Sequence, residues 1–108
     1  MKNRLLSAIG LCKRAGKLVM GFDMAADAMM SGKACGLFLC QDLSPKSGKS
    51  ISRICEEWDY VPQALPVTMD EVAFIVGRRA GILAVTDPGL AEKITTLIGS
   101  CKEELNDD

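Results

Sequence analysis

The sequence has no histidine. That excludes a Cys/His zinc site and any nucleophile activated by an imidazole. Cysteine occurs five times, at Cys12, Cys35, Cys40, Cys55 and Cys101, but never as a Cys-x-x-Cys pair. An odd count without that spacing argues against a disulfide framework. Each cysteine lies in an apolar run and is expected to pack as a small buried hydrophobe. No apolar run reaches the roughly 18 residues of a membrane span. The basic start Met1-Lys2-Asn3-Arg4 leads into a segment where Ser7, Gly10, Lys13 and Arg14 interrupt the apolar residues. That pattern is an amphipathic helix rather than a secretory leader, so a cytoplasmic protein with no membrane partner is expected. Internal repeats, linkers and low-complexity stretches are also missing.

The 108 residues suit one domain, taken as 1–108, with an acidic tail at 103–108 expected to fray. Hydrophobic content of 48% and charged content of 25% are ordinary for a globular chain. The net charge of −1 conceals an asymmetry. Residues 1–53 hold nine Lys/Arg and three Asp/Glu, whereas residues 54–108 hold four and eleven. Such halves either give a dipolar surface whose positive face suits a nucleic acid, or interleave on folding and cancel.

Hydrophobic spacing predicts helices alternating with short strands. Residues 3–15 form a helix striped by Leu5, Ala8, Ile9, Cys12 and Ala15. Lys17–Met20 is a short strand, and residues 22–31 a second helix closed by Gly32. Leu37–Cys40 and Ile82–Val85 are continuous apolar runs, the mark of strands buried on both faces. Ser44-Pro45 caps a third helix with Ile51, Ile54, Cys55 and Trp58 in register. Pro62 and Pro66 confine Val61–Val67 to an edge or a short strand. Thr68 and Glu71 form a capping box for a fourth helix with Val72, Ile75 and Val76 facing inward. Asp87-Pro88 opens a fifth helix, striped by Leu90, Ile94, Leu97, Ile98 and Cys101. This order predicts a three-layer α/β/α sandwich around a small central mixed sheet of about four strands.

Four segments carry candidate chemistry. Ser47-Gly48-Lys49-Ser50 matches the end of a P-loop, but the required earlier glycine is Leu43, and the segment opens a helix rather than following a strand. A basic first turn is the better reading. Asp42 and Asp87 each follow an apolar strand, where α/β proteins place functional groups. Both also precede helices and are expected to cap them, so no catalytic constellation, metal site or cofactor is implied. Gly77-Arg78-Arg79-Ala80-Gly81 puts two arginines in an exposed loop, suited to phosphate or base stacking, or simply to solvent. Gly21 turns a strand into a helix and leaves backbone N–H groups free for a phosphate or base edge. Lys13, Arg14 and Lys17 precede that turn, yet Asp23 and Asp27 make the new helix acidic.

Cys12–Gly21, Ser31–Ala34, Leu39–Asp42, Val61-Pro62 and Ala84–Asp87 together resemble the ribosomal protein superfamily of the L-seven-Ae and L-thirty-e type, and within it the small bacterial YlxQ-type members. The resemblance runs from about Leu5 to Ile98. It implies a non-enzymatic protein binding kink-turn or ribosomal RNA, with a possible ribosomal or other protein partner and no DNA. The family pattern is a glycine followed by Asn-Glu and then Lys at the second helix. Here the glycine is Gly21, and those three positions hold Asp23, Met24 and Asp27. Aspartate offers only acceptors where asparagine offers a donor too, and Lys to Asp turns phosphate attraction into repulsion. The resemblance also implies RNA contact at Asp42-Leu43 and at the Gly77–Gly81 loop. Lys13, Arg14, Lys17, Lys33, Arg78 and Arg79 would supply phosphate contacts, with Gly21 offering its backbone. Phe22 either stacks on a base or packs as a helix staple. The alternative is a protein-interaction module that has lost RNA recognition, using the adaptable Met20, Met24, Met29 and Met30.

Overall fold

A computed structural model describes the backbone of residues 2–106 and the side chains of residues 2–101. The elements in chain order are α1 (Lys2–Arg14), β1 (Leu18–Met20), α2 (Phe22–Met30), β2 (Gly36–Cys40), α3 (Pro45–Glu57), β3 (Gln63–Leu65), α4 (Met69–Val76), β4 (Ile82–Val85) and α5 (Pro88–Asn106). The expected fraying of 103–108 concerns side chains that lie outside the described residues, as Asp107 and Asp108 do entirely.

The strands form one mixed sheet in the order β1-β4-β2-β3. β4 runs antiparallel to both β1 and β2, while β3 joins β2 in parallel. Pro62 and Pro66 lack N–H donors and bracket β3, so only three residues of Val61–Val67 pair, and they do so at the sheet edge.

Alternation along the strands builds two cores. Phe38, Cys40, Leu83 and Val85 point to the face covered by α1, α4 and α5, where Leu5, Ile9, Val72, Ile94 and Ile98 meet them. Leu37, Ile82 and Ala84 point to the other face, against Ala25, Met29, Ile51 and Cys55 of α2 and α3. Three layers result, as the element order predicts. Small residues let the layers close. A Cβ on Gly10 would lie 2.9 Å from Ile75 Cγ2, so α1 and α4 touch there without a side chain between them.

The helix signals act at the predicted places. Ser44 Oγ accepts from the Ser47 N–H at 3.2 Å, and Thr68 and Glu71 complete the reciprocal capping box. Asp87 caps α5 by accepting from the Leu90 N–H at 2.9 Å. Asp42 departs from expectation. It does not cap α3, which Ser44 already serves, but accepts from the Met69 N–H at 2.9 Å and so caps α4, 27 positions later in sequence.

Other expectations change for reasons of packing. Cys35 is exposed, because it lies in the turn before β2 rather than within the strand; the other four cysteines are buried and all five are free. Ala15 and Ile75 lie at the rim of their helical stripes and are exposed, Ile75 by 40%. Trp58 is the C-cap of α3, beyond its packed turns, and is 52% exposed. Met20 and Met29 fill the core, Met30 is half-buried, and Met24 is 59% exposed.

Candidate nucleic-acid interface

Sheet register fixes which residues share an end. The Gly21 N–H donates to the Ile82 carbonyl, and the Cys40 N–H donates to the Gly81 carbonyl. Gly21, the segment after Cys40 and the Gly77–Gly81 loop therefore meet at the start of β4. At the other end, the Thr86 N–H donates to the Lys17 carbonyl and the Cys35 N–H to the Val85 carbonyl. Lys17 and the Lys33–Cys35 turn gather there, about 13 Å from Gly21 at the usual rise of a strand. Arg14 ends α1 two residues before Gly16 and belongs to that far end, with Lys13 beside it. The six cations do not converge: Arg78 and Arg79 flank Gly21, and Lys13, Arg14, Lys17 and Lys33 lie at the opposite end.

At the Gly21 end, a cleft of about 290 Å³ is lined by Gly21, Phe22, Leu43, Ser44, Ser47, Met69 and the Arg78–Ile82 segment. Gly21 has φ 99° and ψ 161°, a region open essentially to glycine alone. It is the N-cap of α2 yet supplies no side chain to bond the first-turn amides. The first α-helical bond runs from the Ala25 N–H to the Gly21 carbonyl, which leaves the preceding amides facing out. Arg78 Nη2 sits 3.7 Å from where a Gly21 Cβ would be, so its guanidinium hangs over this helix start. Arg78 makes no ion pair among the described residues. Arg79 is tied down by a 2.9 Å pair with Asp70. That pair is exposed and contributes little stability, but it folds the loop back over α4.

The remaining predicted residues divide. Leu43 lines the cleft and wedges against Gly81, where a Cβ would come within 2.6 Å of Leu43 Cδ1. Phe22 lines the cleft while packing on the α2–α3 core, so most of its ring serves as a staple. Asp42 is exposed, but its carboxylate is engaged in capping α4. Asp23 is exposed in the first turn of α2. Asp27 lines a separate groove with Met24 and Lys33. The Ser47–Ser50 fragment stays helical, with Ser47 at the cleft and Lys49 in the neighbouring groove along α3. Met69 and Ala80 line the cleft without having stood out in the sequence. Their apolar side chains read as core, and only the folded loop brings them to this surface.

The chemistry available is binding rather than bond-making. Burial pushes the Cys40 thiol up to about 12, with the nearby Asp42 and Glu71 charges adding to the effect. A thiol in that state is no nucleophile at neutral pH. What faces solvent is a helix start carrying partial positive charge, an unpaired guanidinium and apolar ground between them, which fits an anionic, flat-faced ligand.

A glycine-opened helix facing an arginine loop across one end of a mixed sheet is the layout that the sequence resemblance implies. No family model matches the chain. It is 28% identical over 95 residues to the RNA-binding protein YlxQ of Bacillus subtilis, covering 83% of this chain and 90% of that one. It is 26% identical over 97 residues to the RNA-binding protein YlxQ of Enterococcus faecium, covering 90% and 93%. Among solved structures, a Bacillus halodurans protein of unknown function superposes with a TM-score of 0.78 at 22% identity, covering 88% of this chain and 96% of that one. The Giardia lamblia 15.5kD RNA binding protein shares the fold with a TM-score of 0.70 at 14% identity, covering 89% and 85%. Architecture and relatives together place the chain in the L-seven-Ae / L-thirty-e superfamily.

Proposed function

We propose that the chain is a non-enzymatic RNA-binding protein of the cytoplasm, and that its RNA surface is the cleft between Gly21-Phe22 and Arg78-Arg79. The observation that carries this reading is the Arg78 guanidinium over the uncapped start of α2, 3.7 Å from the Gly21 Cβ position. An unpaired arginine and free helix amides converge on one point, an arrangement that suits a phosphate or a guanine edge. The names of the YlxQ relatives and of the Giardia neighbour support the same reading. Asp23 adds a carboxylate to the first turn, so a kink-turn would be held here by backbone and arginine rather than by the family's Asn-Glu-Lys set. Lys13, Arg14, Lys17 and Lys33 would meet RNA only if it wraps past the sheet to the far end.

Mobility-shift titration against a kink-turn RNA and total ribosomal RNA tests the proposal. Binding should weaken in Arg78→Ala, and the slope of log affinity on log salt should fall by about one. Failure to bind either RNA at micromolar protein in low salt would refute it and favour a protein-interaction module.

A further inference from the structure

Phe74 is 89% exposed, the most exposed of the large apolar side chains described. Leaving such a ring in water forgoes about 1.5–3 kcal/mol of burial. A single exposed apolar residue is unremarkable by itself; the setting of Phe74 gives it meaning. It sits in the last turn of α4, one turn after Asp70 and therefore on the same side of the helix. Arg79 returns to that side to reach Asp70 at 2.9 Å. Gly77, in the left-handed conformation with φ 79°, ends the helix and starts the loop that carries Arg78 to the cleft. A bare aromatic ring thus borders the two guanidiniums that rim the candidate interface.

We propose that Phe74 is a stacking platform for an unpaired nucleobase of RNA whose phosphates are held by Arg78 and Arg79. This rests on the RNA-binding reading and extends its surface from the cleft onto α4. Charge complementarity selects the occupant. An apolar protein partner seated on Phe74 would cover the adjacent Arg78 without a counter-charge from this chain, at a desolvation cost. An RNA strand supplies the phosphate for the arginine and a flat π-face for the ring, and stacking of that kind is tolerant of base identity.

The test titrates wild type, Phe74→Ala, Phe74→Tyr and Arg78→Ala with a kink-turn RNA, total ribosomal RNA, an oligouridylate and a blunt duplex RNA. The exposed position lets each Phe74 variant fold, which thermal melting verifies. On RNAs with unpaired bases, Phe74→Ala should bind roughly 5- to 150-fold more weakly with an unchanged salt slope, while Phe74→Tyr retains affinity. Duplex binding should not respond to either. If Phe74→Ala equals wild type on every RNA that wild type binds, stacking is wrong and the RNA reading stands. If wild type binds no RNA, both fall. If sedimentation shows that Phe74→Ala abolishes self-association with RNA affinity unchanged, the ring covers a second copy of the chain and the proposal is overturned.

Discussion

Replacing Gly21 with alanine separates backbone conformation from steric fit at the centre of the candidate site. The new methyl would meet Arg78 Nη2 at 3.7 Å, an ordinary contact, so no clash opposes it. What opposes it is φ 99° with ψ 161°, where a Cβ costs about 1–3 kcal/mol. A domain of this length unfolds with an entropy near 0.23 kcal/mol per kelvin, so the melting temperature should fall by about 4–13 °C. Gly48→Ala is the internal control. Gly48 lies within α3, and a methyl there meets nothing within 4 Å. Alanine in a helix interior gains about 0.5–1 kcal/mol over glycine, raising the midpoint by about 2–4 °C. Calorimetry or circular dichroism on the two variants should therefore show shifts of opposite sign. A Gly21→Ala protein melting at or above wild type would refute the claim that this turn demands glycine. It would also remove the reason for the uncapped helix start.

Asp23→Asn with Asp27→Lys should tighten kink-turn RNA binding by roughly tenfold or more at low salt, read by mobility shift, because two repulsive carboxylates give way to a donor and a cation. Thr68→Ala should lower stability by about 1 kcal/mol in a urea titration, since it breaks both halves of the capping box. Glu71 is held below its usual range, first by the Thr68 amide and then by Lys2, so its contribution is present above the normal glutamate pKa and lost as pH falls through the lowered value. Glu71→Gln should accordingly flatten the acid limb of the stability curve. At pH 8 a thiol reagent should label Cys35 rapidly and the four buried cysteines only after denaturation. Cys40, raised to about 12, favours the folded state fully below the free-thiol range near 9 and loses that contribution as pH climbs toward 12.

Most of the fold was legible because its signals are local. Apolar runs at Leu37–Cys40 and Ile82–Val85 marked the inner strands. Ser44-Pro45, Thr68 with Glu71, and Asp87-Pro88 set the starts of α3, α4 and α5 to the residue. Each is a short-range bond between neighbours in the chain, so one-dimensional pattern suffices. The same logic failed where a partner comes from far away in sequence. Asp42 looked like the cap of the helix after it and serves α4 instead. Ile75 and Trp58 fitted helical stripes but sit at the rim of packed faces. Cys35, in a turn, escaped the burial that its composition suggested.

The candidate site divides along the same line. The order of residues alone determined that Gly21 opens a helix, that Arg78 and Arg79 sit in a loop before the last strand, and that Asp23 and Asp27 replace the polar set of the family. Which charges share a surface was a matter of strand register. Antiparallel pairing of β1 with β4 puts Gly21 beside Ile82 and Lys17 beside Thr86, at opposite ends of the sheet. That pairing divides the six cations into two groups and hangs Arg78 over Gly21. Sequence neighbours are tied by the covalent chain, whereas surface neighbours are chosen by hydrogen-bond register and packing, which appear only when the sheet closes.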